Sequence, residues 1–242
     1  MTNEHINHSI HGIDHERTGE LGPSKETWQA NFGVITISGD SGAGKTTLAN
    51  SLAQIYGIPS ERNIKIGKKV RKITGNEKGE GFMEREVSVD ESVDEEQRII
   101  MSQADVSHPY ILESRLGGVI ASEVKQKSPQ LPIISIMLKA SPDIAVKRIH
   151  LRRREMTKDE IIGKEKERAE NDLKLWKTVH PEMADPYDRK YFNLVINTDS
   201  MTNDEVLTAL HRWLVDNHYV IKQENKTNNK PGEHQIFPTP SL

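Results

Sequence analysis

The residues best suited to chemistry lie in one short run, Gly39-Asp40-Ser41-Gly42-Ala43-Gly44-Lys45-Thr46-Thr47. Glycine, four residues and then Gly-Lys-Thr is the Walker A pattern. Glycines let such a loop curl until successive backbone N–H groups face a phosphate, and the next helix presents its positive end to the same anion. Lys45 would then reach the β- and γ-phosphates of ATP, and the Thr46 hydroxyl would ligate Mg²⁺. A glycine-rich turn could hold a lysine by chance. This one stands where the mechanism needs it, after the β-rich run Gly33–Ser38 and before the helical spacing of Leu48, Leu52 and Ile55.

A second concentration of chemistry is cationic. Residues Lys147 to Lys177 hold eleven basic and seven acidic side chains, net +4 in a chain whose formal charge is −3. Arg148 and Arg152 are four apart and share a helix face, and Arg153 and Arg154 extend the cluster. Spacing does not decide which of the last three points inward. A charge run alone suits a solvated helix; beside a phosphate loop it suits a basic flap that closes over transferring phosphates. The Asn-Lys-x-Asp segment of a guanine-reading switch is missing, as is the apolar strand ending in Asp-Glu of motor ATPases. A kinase that brings two anionic substrates together fits the remaining pattern.

Positioning these groups requires a scaffold, and the apolar runs supply one. After Gly33–Ser38 come Tyr110–Leu112, Pro132–Leu138 and Leu194–Ile196, separated by helical stretches. Near-continuous apolar strands of this kind form parallel sheets covered on both faces. The expected fold is therefore α/β, a three-layer P-loop NTPase fold with a central parallel sheet, helices on both faces and a helical lid. Ser141-Pro142 signals a helix start, and Ser92…Glu95, Thr157…Glu160 and Thr202…Glu205 have capping-box spacing. The last helix should bury Val206, Leu207, Leu210, Trp213 and Leu214.

Composition sets the outer limits. The 242 residues include no cysteine and 34% hydrophobic side chains, which excludes disulfide scaffolds, thiolate metal sites and a cysteine nucleophile. The longest apolar run, Leu131–Leu138, falls far short of the ~20 residues that span a bilayer. No secretory or transit signal begins the chain, and the near-balanced charge argues against generic nucleic-acid binding. A cytoplasmic protein acting on small molecules is expected. Residues 1–31 and 222–242 read as disordered polar tails around a domain at 32–221, with an acceptor-binding segment near 64–107 and a lid near 147–180. His5, His8, His11 and His15 are either a metal cluster or histidines within a polar tail.

Taken with the P-loop, several segments resemble the cytidylate kinase family, closest to its short archaeal-type branch. They are Gly81-Phe82-Met83, Val89-Asp90-Glu91, Val93-Asp94-Glu95-Glu96-Gln97, Glu113-Ser114-Arg115-Leu116-Gly117-Gly118, Arg168…Asp172 and Tyr191 through Thr198. The resemblance covers nearly all of residues 33–215. It implies transfer of the γ-phosphoryl of MgATP to CMP or dCMP, with ATP and Mg²⁺ as the required partners. Arg115 would hold the acceptor phosphate, and Arg168 and Asp172 would sit at the acceptor base and phosphate. Lys68, Lys69 and Arg71 match the basic start of the acceptor segment. Read as residues alone, Arg168 and Asp172 also suit an intrahelical ion pair, and Lys68 to Arg71 a solvated face. Glu113 suits either a partner for Arg115 or support for the metal. The longer bacterial members place Arg-Asp where Arg115-Leu116 stands and an arginine where Leu175 stands, so a carboxylate associated with their acceptor-binding site is absent, and Lys174 or Lys177 would have to replace the arginine without its planar fork. Another kinase acceptor, such as shikimate, and a nucleotide-binding regulatory protein without acceptor turnover are the alternatives.

Overall fold

A computed structural model describes residues 27–75 and 86–223. Strands β1 (Thr27–Ala30) and β2 (Val34–Ser38) open the domain, followed by α1 (Lys45–Ile55), β3 (Asn63–Lys65) and α2 (Ile66–Ile73). The middle comprises α3 (Val87–Ser102), β4 (Tyr110–Glu113), α4 (Gly117–Lys127) and β5 (Ile133–Lys139). Helices α5 (Pro142–Arg152) and α6 (Lys158–Val179), strand β6 (Leu194–Asn197), α7 (Asn203–Asp216) and β7 (Val220–Gln223) complete it.

Five strands form a parallel sheet in the order β3-β4-β2-β5-β6. Every side chain of β2 is buried, as expected for a central strand covered on both faces. Against one face, Leu48, Leu52 and Ala49 of α1 and Leu210 and Leu214 of α7 pack on Ile35, Ile37, Ile134 and Ile136. On the other, Met101 of α3 and Val119, Ile120 and Val124 of α4 cover Val34, Leu112 and Ile133. The adjacent strands β2 and β4 lead into helices on opposite faces of the sheet, α1 and α4, so the connections diverge at the carboxyl ends of this pair. Ligands of open α/β sheets bind at such a switch, beyond the carboxyl ends of the strands. Here that place is the P-loop.

Both predicted boxes at Thr157 and Thr202 are present. Thr157 Oγ1 and Thr202 Oγ1 accept from the amides of Glu160 and Glu205, whose carboxylates accept from the Thr157 and Thr202 amides in return. The Ser92…Glu95 expectation is corrected. Helix α3 starts at Val87 with Glu86 as its N-cap, so Ser92 and Glu95 lie inside it. A buried stripe of Asp90, Val93, Gln97 and Met101 carries the helix through that spacing. Ser141 does cap α5 with Pro142 in its first turn, but its side chain makes no cap bond; its amide donates to Asp199 Oδ1 at 2.6 Å.

The domain limits of 32 and 221 are corrected outward. Strands β1 and β7 form an antiparallel ribbon in which Ala30 lies opposite Val220, and both are buried. Trp28 meets His211 of α7 edge-on, with ring centroids 4.8 Å apart. Thr27–Ala30 and Lys222–Gln223 therefore belong to the folded unit. The histidines at 5, 8, 11 and 15 and Gly81-Phe82-Met83 lie outside the described residues. Among the described residues, no helix is long and apolar enough to cross a membrane.

Candidate active site

The P-loop joins β2 to α1. Gly39 has φ +132°, and a Cβ there would fall 2.2 Å from the Leu138 carbonyl oxygen. Gly42 is similarly constrained, at φ +81° and 2.7 Å from the Ala145 carbonyl oxygen. Glycine thus serves the positive φ and the close approach of β5 and α5 together. Lys45 Nζ donates to the Asp40 carbonyl at 2.8 Å. Burial, with Arg115 and Arg168 nearby, brings its pKa down from 10.5 to about 8, against the opposing pull of Glu113 and Asp40. The loop thus places an amine where positive charge is already crowded.

Residue Glu113 ends β4, and its register opposite Ile37 brings its carboxylate beneath the loop. Thr46 Oγ1 donates to Glu113 Oε1 and Oε2 at 2.7 and 2.8 Å. Of the two readings left open for Glu113, the geometry favours support of the Thr46 hydroxyl over pairing with Arg115. A hydroxyl and a carboxylate are hard oxygen donors, the kind Mg²⁺ accepts alongside substrate phosphates and water. No cluster of three His, Asp or Glu side chains suited to a metal occurs among the described residues. The donor set therefore fits Mg²⁺ carried chiefly by nucleotide phosphates.

Arg115 follows on the connection from β4 to α4. Its guanidinium pairs with Asp172 of α6, stands 3.7 Å from Asp40 Oδ1 and lies over the Trp176 ring at 5.9 Å. Arg168 Nη1 donates to Ser41 Oγ at 3.2 Å, and its Nε is 3.7 Å from Asp172 Oδ2. Arg168 and Asp172 are therefore an i,i+4 pair and also tie α6 to the phosphate loop and to Arg115.

A cleft of about 470 Å³ gathers most of the expected residues. Ser41, Gly42, Gly44, Lys45, Thr46 and Thr47 line it from the P-loop, Lys68 and Arg71 from α2, and Arg115, Arg168 and Asp172 beside them. Arg152 and Arg153 line it from the end of α5. Gly39, Asp40 and Ala43 are not among its lining residues. Arg148 departs from expectation: it does not line the cleft. Its Nη1 donates to Thr198 Oγ1 at 2.8 Å and its Nη2 to the Thr198 carbonyl at 2.5 Å, with the Gly42 carbonyl 3.4 Å from Nη1. Arg148 and Arg152 share a helix face, but the end of β6 takes the guanidinium of Arg148. Lys69 turns instead to Glu96 of α3.

The sequence matches the AAA domain family model over residues 35–171. It is 32% identical to a cytidylate kinase of Methanopyrus kandleri over 185 residues, covering 73% of this chain and 90% of that enzyme. A cytidylate kinase of Methanosarcina acetivorans is 28% identical over 178 residues, 73% of this chain and 93% of that enzyme. The chain belongs to the cytidylate kinase family. It is a P-loop kinase of the nucleoside monophosphate class. A crystal structure of an uncharacterized protein from Eubacterium ventriosum matches the fold, with a TM-score of 0.51, 16% identity and coverage of 75% of this chain and 98% of that one.

In this cytidylate kinase family member, α3 supplies cleft residues to which the sequence reading assigned no role. Asp90, Asp94 and Gln97 line the cleft and are buried. Behind them, His180 at the end of α6 bonds Asp94 Oδ2 through Nε2 at 2.8 Å and Glu123 Oε1 through Nδ1 at 3.0 Å. These carboxylates push the His180 pKa up to about 9. The available signal was periodicity: residues 90, 94, 97 and 101 follow a buried helical stripe in which three of four are polar. Polar groups on a core-facing stripe need partners, and their place is a site or a relay.

Proposed function

We propose that the chain transfers the γ-phosphoryl of MgATP to CMP or dCMP, releasing ADP and the nucleoside diphosphate. The supporting observation is the convergence of Lys45, Thr46, Arg115, Arg168, Lys68 and Arg71 on one cleft. On this reading the P-loop amides and Lys45 hold the donor phosphates. Lys68, Arg71 and Arg115 receive the acceptor phosphate, with Asp172 fixing the Arg115 guanidinium until it arrives.

Thr46 would hold Mg²⁺, with Glu113 orienting the hydroxyl, and the ion would supply positive charge that offsets the charge of the nucleotide phosphates. An oxygen of the acceptor monoester attacks the γ-phosphorus, and the bond to the β-bridging oxygen breaks. Because the acceptor is already an anion near neutral pH, no strong general base is required. The chain's contribution is alignment of two polyanions and cationic stabilisation of the transferring group. Arg152 and Arg153 supply that charge from the lid, while Arg148 braces the loop from behind. Lys45 regains its full charge as phosphate arrives, since an adjacent anion favours the ammonium form.

A coupled assay of ADP release with MgATP and a panel of CMP, dCMP, UMP, AMP, GMP and shikimate tests the reading. CMP or dCMP should give the highest kcat/KM, and Lys45→Ala and Arg115→Ala should each lower it at least about 10²-fold. Full transfer by either variant, or faster turnover of shikimate, would refute it.

A further inference from the structure

The amide of Gln97 is fully buried in the cleft wall. Its Nε2 donates to Asp94 Oδ1 at 3.1 Å and lies 3.5 Å from the Val93 carbonyl. Its Oε1 has no hydrogen-bond partner. A buried carbonyl oxygen left unpaired forfeits its hydration with nothing in return, so native folds keep such groups rare. One lining a substrate cleft is explained if the substrate supplies the missing donor.

The orientation of this amide is determined by what stands behind it. Arg98 Nε donates to Glu123 Oε2 at 3.1 Å. The other oxygen of Glu123 meets His180 Nδ1 at 3.0 Å, and His180 Nε2 meets Asp94 Oδ2 at 2.8 Å. An imidazole between two carboxylates donates from both nitrogens, because neither acid can donate to it when ionised. Asp94 is then an acceptor on both oxygens, and Oδ1 must receive an N–H. Gln97 is the group that provides one, so its NH₂ faces Asp94 and its oxygen is left without a partner in the cleft wall. Asp90 lines the cleft from the same helix, which adds a second acceptor-type group to this wall.

We propose that Gln97, oriented by the relay Arg98–Glu123–His180–Asp94, selects an acceptor base bearing an exocyclic amine over one bearing an oxo group at the same position. The inference rests on the kinase reading above and gives that reading its specificity. Cytosine presents N4–H₂, a donor that completes Oε1; uracil presents O4, an acceptor that would face another acceptor. Sites that bond a substrate group discriminate strongly against an analogue lacking it, because both buried partners are then left unpaired. Gln97 is the group that touches the base. Asp94 and His180 are positioning residues that act through it.

The test measures kcat/KM for CMP and UMP on the full chain. Wild type should favour CMP by about 10²-fold or more. Gln97→Met keeps the volume but removes the acceptor. It should lower kcat/KM for CMP by roughly 30- to 100-fold and leave UMP within about 3-fold, so that the preference collapses. Asp94→Asn, assayed near about pH 6 so that His180 keeps both protons, gives a sharper result. His180 would donate to the Asn carbonyl, the Asn NH₂ would face Gln97, and the Gln97 amide would turn over to present its NH₂. The preference should then move toward UMP. If wild type turns over nucleoside monophosphates and Gln97→Met keeps the CMP-to-UMP ratio, this inference is wrong and the kinase reading stands. If no nucleoside monophosphate is turned over, the kinase reading fails and takes the inference with it. Should Gln97→Met lose its circular-dichroism spectrum, the Asp94→Asn ratio decides, and an unchanged ratio there overturns the proposal.

Discussion

Replacing Lys45 with methionine should abolish transfer and yet make the empty protein more stable. The ammonium is held among Arg115 and Arg168 in a site that removes much of its hydration, and its pKa falls from 10.5 to about 8. At roughly 1.4 kcal/mol per tenfold change, that drop corresponds to about 3 kcal/mol against the charged form at neutral pH. Solvent reaching the side chain reduces the figure, and the variant also loses the bond to the Asp40 carbonyl, a loss of about 1 kcal/mol. A net gain of about 1–2 kcal/mol remains, or roughly 2–8 °C in Tm for a domain of this size. The sign reverses with alkali. Between pH 8 and 10.5 the unfolded chain holds this proton more tightly than the fold does, so wild-type stability rises relative to the variant and the gap should close near about pH 10. Urea denaturation of both proteins at neutral and alkaline pH measures the difference. MgATP should raise the Tm of wild type and leave the variant nearly unmoved. A variant less stable than wild type at neutral pH, or a gap that does not change with pH, would refute the electrostatic account of this loop.

Two further outcomes follow from the relay and from the back of the loop. The folded-state pKa of His180 is raised from 6.5 to about 9, so its contribution is complete below about pH 6.5 and disappears as pH rises through about 9, with a ceiling near 3 kcal/mol. His180→Gln should flatten that part of the pH–stability curve, as read by urea midpoints. Arg148→Met should cost about 1–3 kcal/mol of stability by removing the charged donor to the Thr198 carbonyl and hydroxyl, which keep the Met201 amide and the Lys139 and Ala43 carbonyls as partners, with KM for the acceptor nearly unchanged; a large fall in kcat without a change in Tm would instead return Arg148 to the transferring group.

The parallel sheet was legible because its central strands are uninterrupted apolar runs separated by helical stretches, the pattern of a sheet covered by helices on both faces. The P-loop was legible because its chemistry resides in adjacent residues. The β1–β7 ribbon was not. Its four-residue strands are largely exposed and polar, and what orders them is pairing across nearly the whole chain, with Thr27 opposite Gln223. Strand β3 was missed for a related reason, since its three residues are half-buried at the sheet edge. Within the site, helical spacing placed Arg148 and Arg152 on one face correctly but could not say that Thr198 would capture the first. That depends on β6 ending beside the loop, a tertiary fact with no local trace. The polar stripe of α3 was visible, but only the position of His180, 86 residues from Asp94, shows that it is a relay.

The basic groups of the cleft and the carboxylates set among them have a common physical cause. The fold brings Lys45, Arg115 and Arg168 together, and their mutual repulsion is offset by nearby carboxylates. Asp172 is one of them: it is buried, paired with Arg115 and 3.7 Å from Arg168 Nε. On the proposed reading, Asp172 engages one edge of the Arg115 guanidinium and leaves other N–H groups of the planar fork for a phosphate. Glu113 likewise accepts a hydrogen bond from the Thr46 hydroxyl, which on the proposed reading leaves an oxygen lone pair for a cation. On that reading a carboxylate holds each functional group in place before substrate binds, so that the ordering cost falls on folding instead of on each catalytic cycle. Removing Asp172 would therefore weaken acceptor binding although the residue is itself an anion. The loss would come through misplacement of Arg115, since electrostatic catalysis depends on donors already aimed at the developing charge.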